Sequence, residues 1–234
     1  MKNKIILGLA AAGTALAMLP LLAAFEAHVV NVTATIENAL SVPVDELTFG
    51  TVFPQEQLDR FFDVSLSSSF RSESRVDDVD YFIRQKPKCQ LKQGITQLPA
   101  FGQVTEDGNG NFVCQDPEHY EIMLLLCPYL SKHENTPDGL KDNNDGPGIS
   151  AFHGPILAAD WTLAVAKQFE VKGRLAKSDQ DFQDHWDVDL KVPCFQGHCS
   201  QDWASFVRSV NATATPAAYI QPIANEHKLF GCDL

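Results

Sequence analysis

The sequence predicts an all-β protein: an antiparallel β-sandwich, of the jelly-roll or immunoglobulin-like kind, with long loop insertions and one or two short helices. Three observations predict this fold class. Apolar and polar residues alternate with period two in several short segments, turn-forming residues separate these segments, and few segments have helical spacing. Short strands with one polar face each are typical of antiparallel sheets that pack face to face.

The chain begins like a secretory signal peptide. Lys2 and Lys4 form a short basic head, and residues 5–22 are uncharged and rich in Ala and Leu. This layout predicts a signal peptide over residues 1–24, with cleavage at its end or as late as Ala27. The alternative is a retained anchor, because an uncharged run of about 18 residues is near the lower limit for spanning a bilayer.

The rest of the chain, residues 28–234, has the length of a single domain. A stretch rich in Pro, Gly, Asn and Asp at about 127–152 predicts a long surface insertion, and such loops are often functional. No second apolar run of membrane-spanning length follows, so we expect no membrane contact after signal cleavage. We therefore expect a secreted protein that is extracellular or attached to the cell surface.

The charge of the chain limits its partners. It has 18 Lys and Arg against 30 Asp and Glu, a net charge of −12. Nucleic-acid binding needs clustered cations, and the nearest approach to a cluster is the short RQKPKC at 84–89. The composition therefore excludes nucleic acid as an expected partner.

The first alternating segment follows the leader almost directly. Its apolar positions are Val30, Val32, Ala34 and Ile36, and polar residues stand between them. This pattern predicts a strand very close to the N-terminus that signal cleavage would create.

Further strands are predicted along the rest of the chain. The clearest cover residues 61–66, 79–84 and 186–192, and shorter candidates are 46–50, 169–177 and 227–234. The last candidate stops at Leu234, so we expect the final strand to be either short or cut off.

Two segments have helical features. Residues 200–210 place Trp203, Phe206 and Val207 on one helix face, with Ser200 as the predicted N-cap. Residues 154–169 contain several helix formers, but they could equally be a segment that leads into the next strand.

Six cysteines follow the leader: Cys89, Cys114, Cys127, Cys194, Cys199 and Cys232. An even number in an exported chain predicts disulfides, although many pairings are possible. Cys194 and Cys199 are the nearest local pair, and Gly197 allows the tight loop between them. For the remaining four, Cys89 with Cys114 and Cys127 with Cys232 is the preferred pairing.

A zinc site is the alternative use for some of these cysteines. His198 stands beside Cys199, but the spacing lacks the second matching pair of ligands that structural zinc sites have. We therefore favour disulfides.

The stretch LTFGTVFPQEQLDRFFDVSLSSSF at 47–70, downstream of a leader that runs almost directly into a strand, resembles the TasA/camelysin-like family of secreted β-sandwich proteins. In that family a strand, a turn of the PG[DE] type and a second strand recur. Pro54, Gln55 and Glu56 occupy this turn here, with Gln55 where Gly is usual. The stretch GRLAKSDQDFQDHWDVDLKVPCFQGHC at 173–199 is similar to later strands of exported sandwich domains. The six cysteines and the long insertion depart from the simple fibre-forming members.

The resemblance implies polymerisation into extracellular fibres of the kind found in biofilm matrices. TasA-like subunits complete a neighbour's sheet with an N-terminal strand freed by the signal peptidase. The donor-strand candidates here are Val30, Val32, Ala34 and Ile36. The resemblance thus favours a non-enzymatic, structural or adhesive cell-surface protein whose partner is a second copy or another surface component. The alternative is a strand that folds into its own domain.

Two other functions stay open. Camelysin-like relatives have been linked with peptidase activity, which leaves a secreted peptidase as one alternative. The sequence has no HExxH, GxSxG or P-loop motif, so we predict no catalytic residues. The other alternative is a monomeric binding module that uses the 127–152 loop. All seven histidines are predicted to lie at the surface: His28, His119, His133, His153, His185, His198 and His227.

Calcium is the metal with a candidate loop in the sequence. Ligand-type residues occupy Asp107, Asn109, Asn111 and Glu118, but Phe112 stands where a calcium loop needs Gly for its sharp turn. A hairpin turn rich in Gly and Asn explains the same residues. The loop at 141–146 is a second candidate, without defined ligand spacing. We therefore predict no bound metal or cofactor.

Overall fold

The computed structural model describes residues 36–134 and 146–234. The predicted signal peptide and the predicted donor-strand residues Val30, Val32 and Ala34 lie outside the described residues. Ile36 is described; it lies outside any strand, and it is 93% exposed. Within the described ranges, no helix is long and apolar enough to span a membrane.

The described chain is rich in short strands that mostly pair antiparallel, in agreement with the predicted all-β class. The strands are β1 (Leu40–Ser41), β2 (Gln57–Leu66), β3 (Asp78–Ile83), β4 (Cys89–Leu91), β5 (Phe101–Gly102), β6 (Val104–Glu106), β7 (Phe112–Cys114), β8 (Tyr120–Ile122), β9 (Leu124–Leu125), β10 (His133–Glu134), β11 (Val171–Ala176), β12 (Gln183–Lys191) and β13 (Phe230–Gly231). They form several separate sheets, which do not close on one another.

Helical segments in the described ranges are short. The α-helices are α1 (Ser68–Ser72), α2 (Leu163–Ala166) and α3 (Trp203–Val210), and 3₁₀ turns cover Cys127–Tyr129, Ala158–Asp160, Lys167–Phe169, Pro216–Tyr219 and Ile223–Asn225. Helix α3 lies within the helix predicted at 200–210 and buries Trp203 and Val207. Because α3 begins at Trp203, the prediction of Ser200 as its N-cap is wrong.

The central sheet has the order β1-β2-β12-β10. Its main part is the long antiparallel pair of β2 and β12, with Phe62 opposite Trp186. Period-two alternation directs one set of side chains into the interior. This inner set is Phe62, Val64 and Leu66 of β2 and Trp186, Val188 and Leu190 of β12. The other set is mostly polar and faces outward.

A second antiparallel pair, β3 with β11, contributes to the same core. The Tyr81 hydroxyl of β3 donates to the Asp184 carboxylate and accepts a hydrogen bond of 2.7 Å from Trp186 Nε1. Polar atoms of the two sheets therefore satisfy one another inside the core. Gly173 of β11 lies directly opposite Tyr81, and a Cβ at Gly173 would stand 2.2 Å from the Tyr81 Cζ atom.

Smaller sheets surround this core. Strands β5, β4 and β8 form one sheet, β6 and β7 form a hairpin, and β13 pairs parallel with β9. The chain has three disulfides: Cys89–Cys114 joins β4 to β7, Cys127–Cys232 joins distant segments, and Cys194–Cys199 closes a local loop. They are the pairs that the sequence favoured. Because Cys199 is bonded to Cys194, its sulfur is not available to a zinc ion beside His198.

The stretch 127–152 is not a surface loop throughout. Tyr129 and Lys132 on its N-terminal side are buried, and so is Phe152 on its C-terminal side. The central part, residues 135–145, lies outside the described residues. The flanks of the predicted insertion therefore belong to the core.

Two other segments differ from their predictions. The strand predicted at 46–50 is not formed, although Leu47 and Phe49 pack against the main core. Residues 154–169 form only short 3₁₀ turns and the four-residue helix α2.

Candidate functional site

The outward side of the central sheet carries a dense set of polar side chains. Alternation places them there, because the residues between them point into the core. They are Asp59 and Asp63 of β2, His133 of β10, and His185, Asp187, Asp189 and Lys191 of β12, with Ser131 and the exposed Phe61 on the same side. We call this surface the polar face.

The strand register arranges the polar face in rows. Asp189 lies opposite Asp59, and the Ser131 amide donates to the Asp189 carbonyl at 2.8 Å. Two backbone hydrogen bonds join Lys132 and Ile149 in an isolated antiparallel bridge, which sets residues 148–150 beside this edge of the sheet. One row therefore runs in the order Ser150, Ser131, Asp189 and Asp59. The next row runs in the order Gly148, His133, Asp187 and Phe61.

A cleft of about 350 Å³ opens at the first of these rows. Its lining residues are Ser131, His133, Gly148, Ile149, Ser150, Asp189, Lys191 and Val210. Ile149 and Val210 make part of the lining apolar. The other side chains present hydroxyl, carboxylate, imidazole and ammonium groups to the same small space.

Asp189 is the electrostatic centre of the cleft. Its carboxylate lies 3.8 Å from Lys191 Nζ and 4.0 Å from His133 Nδ1. Its hydrogen bond with Asp59 raises the pKa of the Asp59 carboxyl, and burial and the negative charge of Asp189 act in the same direction. His133 Nε2 also lies 3.7 Å from the Asp187 carboxylate. Negative and positive groups are thus interleaved in this part of the face.

Ser131 is a polar group without a partner. The residue is only 6% exposed, and its Oγ atom is buried with no hydrogen bond to any residue in the described ranges. Buried hydroxyls normally have a partner, which is protein, ordered water or ligand. The Ser131 hydroxyl therefore has unused hydrogen-bonding capacity at the cleft.

An exposed aromatic ring stands at the end of the second row. Phe61 is 66% exposed, and its ring centroid is 5.0 Å from that of His185. His185 is held in place because its Nδ1 lies 2.7 Å from the Asp63 carboxylate. Phe61 is thus an apolar platform bordered by carboxylates.

Behind the polar face lies a buried polar cluster. Lys132 is 1% exposed, and its Nζ has no hydrogen-bond partner in the described structure. Burial lowers the pKa of the Lys132 amine to about 7. Burial, together with the nearby Lys132, lowers the pKa of His153 to about 3.

His153 contradicts the prediction that every histidine lies at the surface. Its Nδ1 is 2.8 Å from the Ser150 carbonyl, and its Nε2 is 2.8 Å from Gln85 Oε1. The ring packs against both Trp161 and Phe169, with centroids 6.0 and 4.7 Å away. The prediction was wrong for His153 because its neighbours in the sequence, such as Gly154, do not reveal the aromatic side chains that pack around it in the fold.

The described residues also bear on the calcium alternative. None of their His, Cys, Asp and Glu side chains form a group of three or more that could hold a metal ion. The Asp107 carboxylate instead accepts hydrogen bonds of 2.8–2.9 Å from the Asn109 amide and from the amide and side chain of Asn111. These bonds close the hairpin between β6 and β7, as the turn interpretation requires.

The geometry does not favour the peptidase alternative at this cleft. A catalytic serine needs a base within hydrogen-bonding reach. The Ser131 hydroxyl has no such bond within the described ranges, and both ring nitrogens of His133 face carboxylates. The arrangement can accept and donate hydrogen bonds.

A second groove, of about 790 Å³, lies beside the small sheet that contains β8. It is lined by Gly94, Ile95, Thr96, Gln97, Leu98, Asp116, Glu118 and His119. The His119 Nδ1 and the Asp116 carboxylate are 2.7 Å apart, which lowers the pKa of Asp116. Its two principal ionisable groups are therefore already bonded to each other.

Comparisons of the chain with protein-family models, with curated proteins and with solved structures gave no match. The resemblance to the TasA/camelysin-like family therefore stays a prediction from the sequence.

Proposed function

We propose that the chain is a secreted, non-enzymatic structural or adhesive protein of the cell surface, with a β-sandwich fold. In this proposal, copies assemble when the N-terminal strand of one copy adds to an open sheet edge of the next. Its three disulfides are consistent with an oxidising, extracellular environment. The observation that carries the assembly proposal is an open edge on β2.

Among the described residues, no strand pairs with most of the edge of β2 that faces away from β12. β1 pairs with β2 only at Leu66 and Ser65. The Leu66 amide donates to the Phe182 carbonyl, so the even-numbered residues of β2 bond toward β12 and the odd-numbered ones bond outward. Over residues 57–64, no described strand pairs with this edge.

The chain's own N-terminal segment does not fit this edge in the observed register. Leu40 lies opposite Leu66, so the same antiparallel register sets residue 36 opposite residue 70, which is inside α1. In our proposal, the alternating residues Val30, Val32, Ala34 and Ile36 instead pair with the sheet edge of a neighbouring copy.

Strand addition explains why alternation begins so close to the leader. An added strand gains its affinity from backbone hydrogen bonds, and its alternate side chains provide specificity. An open edge is otherwise a liability, because it pairs with any available strand. The Arg60 guanidinium already donates to the Asp59 carbonyl on this edge, at 2.7 Å. The added strand would thus bond chiefly to the backbone of Phe61 and Asp63.

Negative-stain electron microscopy of the mature protein at rising concentration tests this proposal. We expect filaments from the intact protein and none from a version that lacks residues up to Ile36. Val32→Asp should abolish assembly and leave a folded monomer, whereas Thr33→Asp adds the same charge on the polar side and should retain filaments. Single particles from the intact protein at every concentration would contradict the proposal. Unfolding of Val32→Asp would instead show that the strand belongs to its own domain.

A further inference from the structure

We propose that the polar face binds an uncharged polysaccharide, with one sugar in the cleft and another on Phe61. This inference does not depend on the assembly proposal, because a single copy of the chain contains the whole site. The inference rests on the unpaired Ser131 hydroxyl, the charge pattern around Asp189 and the exposed ring at the end of the next row.

The unpaired Ser131 hydroxyl indicates that something else completes the cleft. A serine hydroxyl donates one hydrogen bond and accepts others, and Ser131 Oγ makes none within the described ranges. A sugar hydroxyl can supply both a donor and an acceptor to it. The cleft, at about 350 Å³, is at the lower end of the size range of small-molecule pockets. It therefore suits a single ring better than a large ligand.

The charges around the cleft favour a neutral ligand with many hydroxyls. Asp59, Asp187 and Asp189 would repel an anion, and Lys191 lies beside Asp189. The same groups are good partners for hydroxyls, because carboxylates accept and ammonium donates strong hydrogen bonds. The charges thus favour a polyol over a phosphate, and no group of three or more His, Cys, Asp or Glu side chains in the described residues could hold a metal ion.

Apolar side chains at the site can contact the sugar rings in addition to these hydrogen bonds. Ile149 and Val210 line the cleft and can contact the C–H face of a ring. Phe61 lies two strands away from His133 in the second row, a distance of about 10 Å at the usual strand spacing. A sugar chain that crosses the strands therefore reaches both the cleft and the exposed ring.

Binding of neutral cello-, chito- and β-1,3-gluco-oligosaccharides to the mature protein, measured by calorimetry and protein NMR, tests this inference. We expect at least one of these series to bind with little dependence on salt, because the ligand is uncharged. Ser131→Ala and Asp189→Asn should each weaken binding by about fivefold or more. Phe61→Ala should weaken it by about tenfold.

Matched controls separate recognition from general surface effects. Phe82→Ala removes a similarly exposed ring from β3, and Asp80→Asn removes a surface carboxylate from the same strand; both should bind like the wild type. Val32→Asp should also bind like the wild type, so failure of assembly and failure of binding are distinguishable. The inference is overturned if no neutral oligosaccharide binds, if only charged glycans bind, or if Asp189→Asn and Phe61→Ala bind as well as the controls.

Discussion

Replacing Lys132 by Met should make the protein more stable and change how its stability depends on pH. Lys132 is almost completely buried, and its amine has no hydrogen-bond partner in the described structure. Met fills a similar, unbranched volume without a charge. The substitution therefore removes the cost of holding an unpaired amine in the interior.

The size of the effect follows from the pKa of Lys132. Burial lowers it from 10.5 to about 7 in the folded protein. Between these values the unfolded chain holds a proton that the folded protein does not, so the stability of the wild type rises with pH. At about 1.4 kcal/mol for each tenfold change in proton affinity, the total is about 5 kcal/mol, and below about pH 7 this cost is fully present.

Urea unfolding of both proteins, with disulfides intact, measures this directly. At about pH 7 we expect Lys132→Met to be more stable by up to about 5 kcal/mol, and the advantage should shrink by about 4 kcal/mol at about pH 10. Lys167→Met, at an exposed position, reports the effect of losing a surface charge and should show no such slope. A constant difference between wild type and Lys132→Met across this range would refute the reasoning.

Three further predictions concern stability. Burial lowers the pKa of His153 from 6.5 to about 3, so the free energy of unfolding of the wild type should fall by about 5 kcal/mol as the pH falls between these values. The free energy of unfolding of His153→Gln should lack this dependence on pH. Equal dependence in the two proteins would contradict the lowered pKa of His153. Gly173→Ala should lower the free energy of unfolding, measured with urea, by about 1–3 kcal/mol because its Cβ would clash with the Tyr81 ring. Gly108→Ala, with open space around it, should leave this free energy unchanged, and equal losses in the two variants would contradict the clash. Gln180→Gly should raise thermal stability by about 1 kcal/mol because Gln180 has φ +62°, while Asp179→Gly should lower it, and the reverse order would argue against backbone strain.

The long strands could be predicted because their alternation is local information. Residues 61–66 and 186–192 alternate strongly, and they lie in the paired strands β2 and β12. The segment 46–50 differs, because no strand forms there. Leu47 and Phe49 are indeed packed against the core, but alternation reports burial of one side and not backbone pairing.

Other parts of the fold depend on distant partners. Strands β4 to β9 have two or three residues each, too few for a periodic pattern, and several are held by pairing with distant segments and by Cys89–Cys114. The polar composition of 127–152 also concealed its buried flanks, where Tyr129 and Phe152 are fixed by aromatic packing. Composition describes the average of a segment, whereas burial is decided residue by residue.

The candidate site could be predicted only in part. The alternation over 186–192 predicts that Asp187, Asp189 and Lys191 share one side of a strand, opposite the apolar residues. It could not show that Asp59 lies opposite Asp189, or that Ser131 extends the same row, because strand register is a property of the folded sheet.

For the secreted protein that we propose, the disulfide pattern has a consequence for the order in which the cysteines oxidise. Cysteines that enter an oxidising compartment in order from the N-terminus meet their nearest predecessors first. For Cys114 the first available partner, Cys89, is the native one. For Cys127 the next arrival is Cys194, but its native partner is Cys232, 105 residues away. Correct oxidation therefore requires either that Cys127 is kept reduced until the C-terminal segment arrives, or that a thiol–disulfide isomerase corrects an early mispairing.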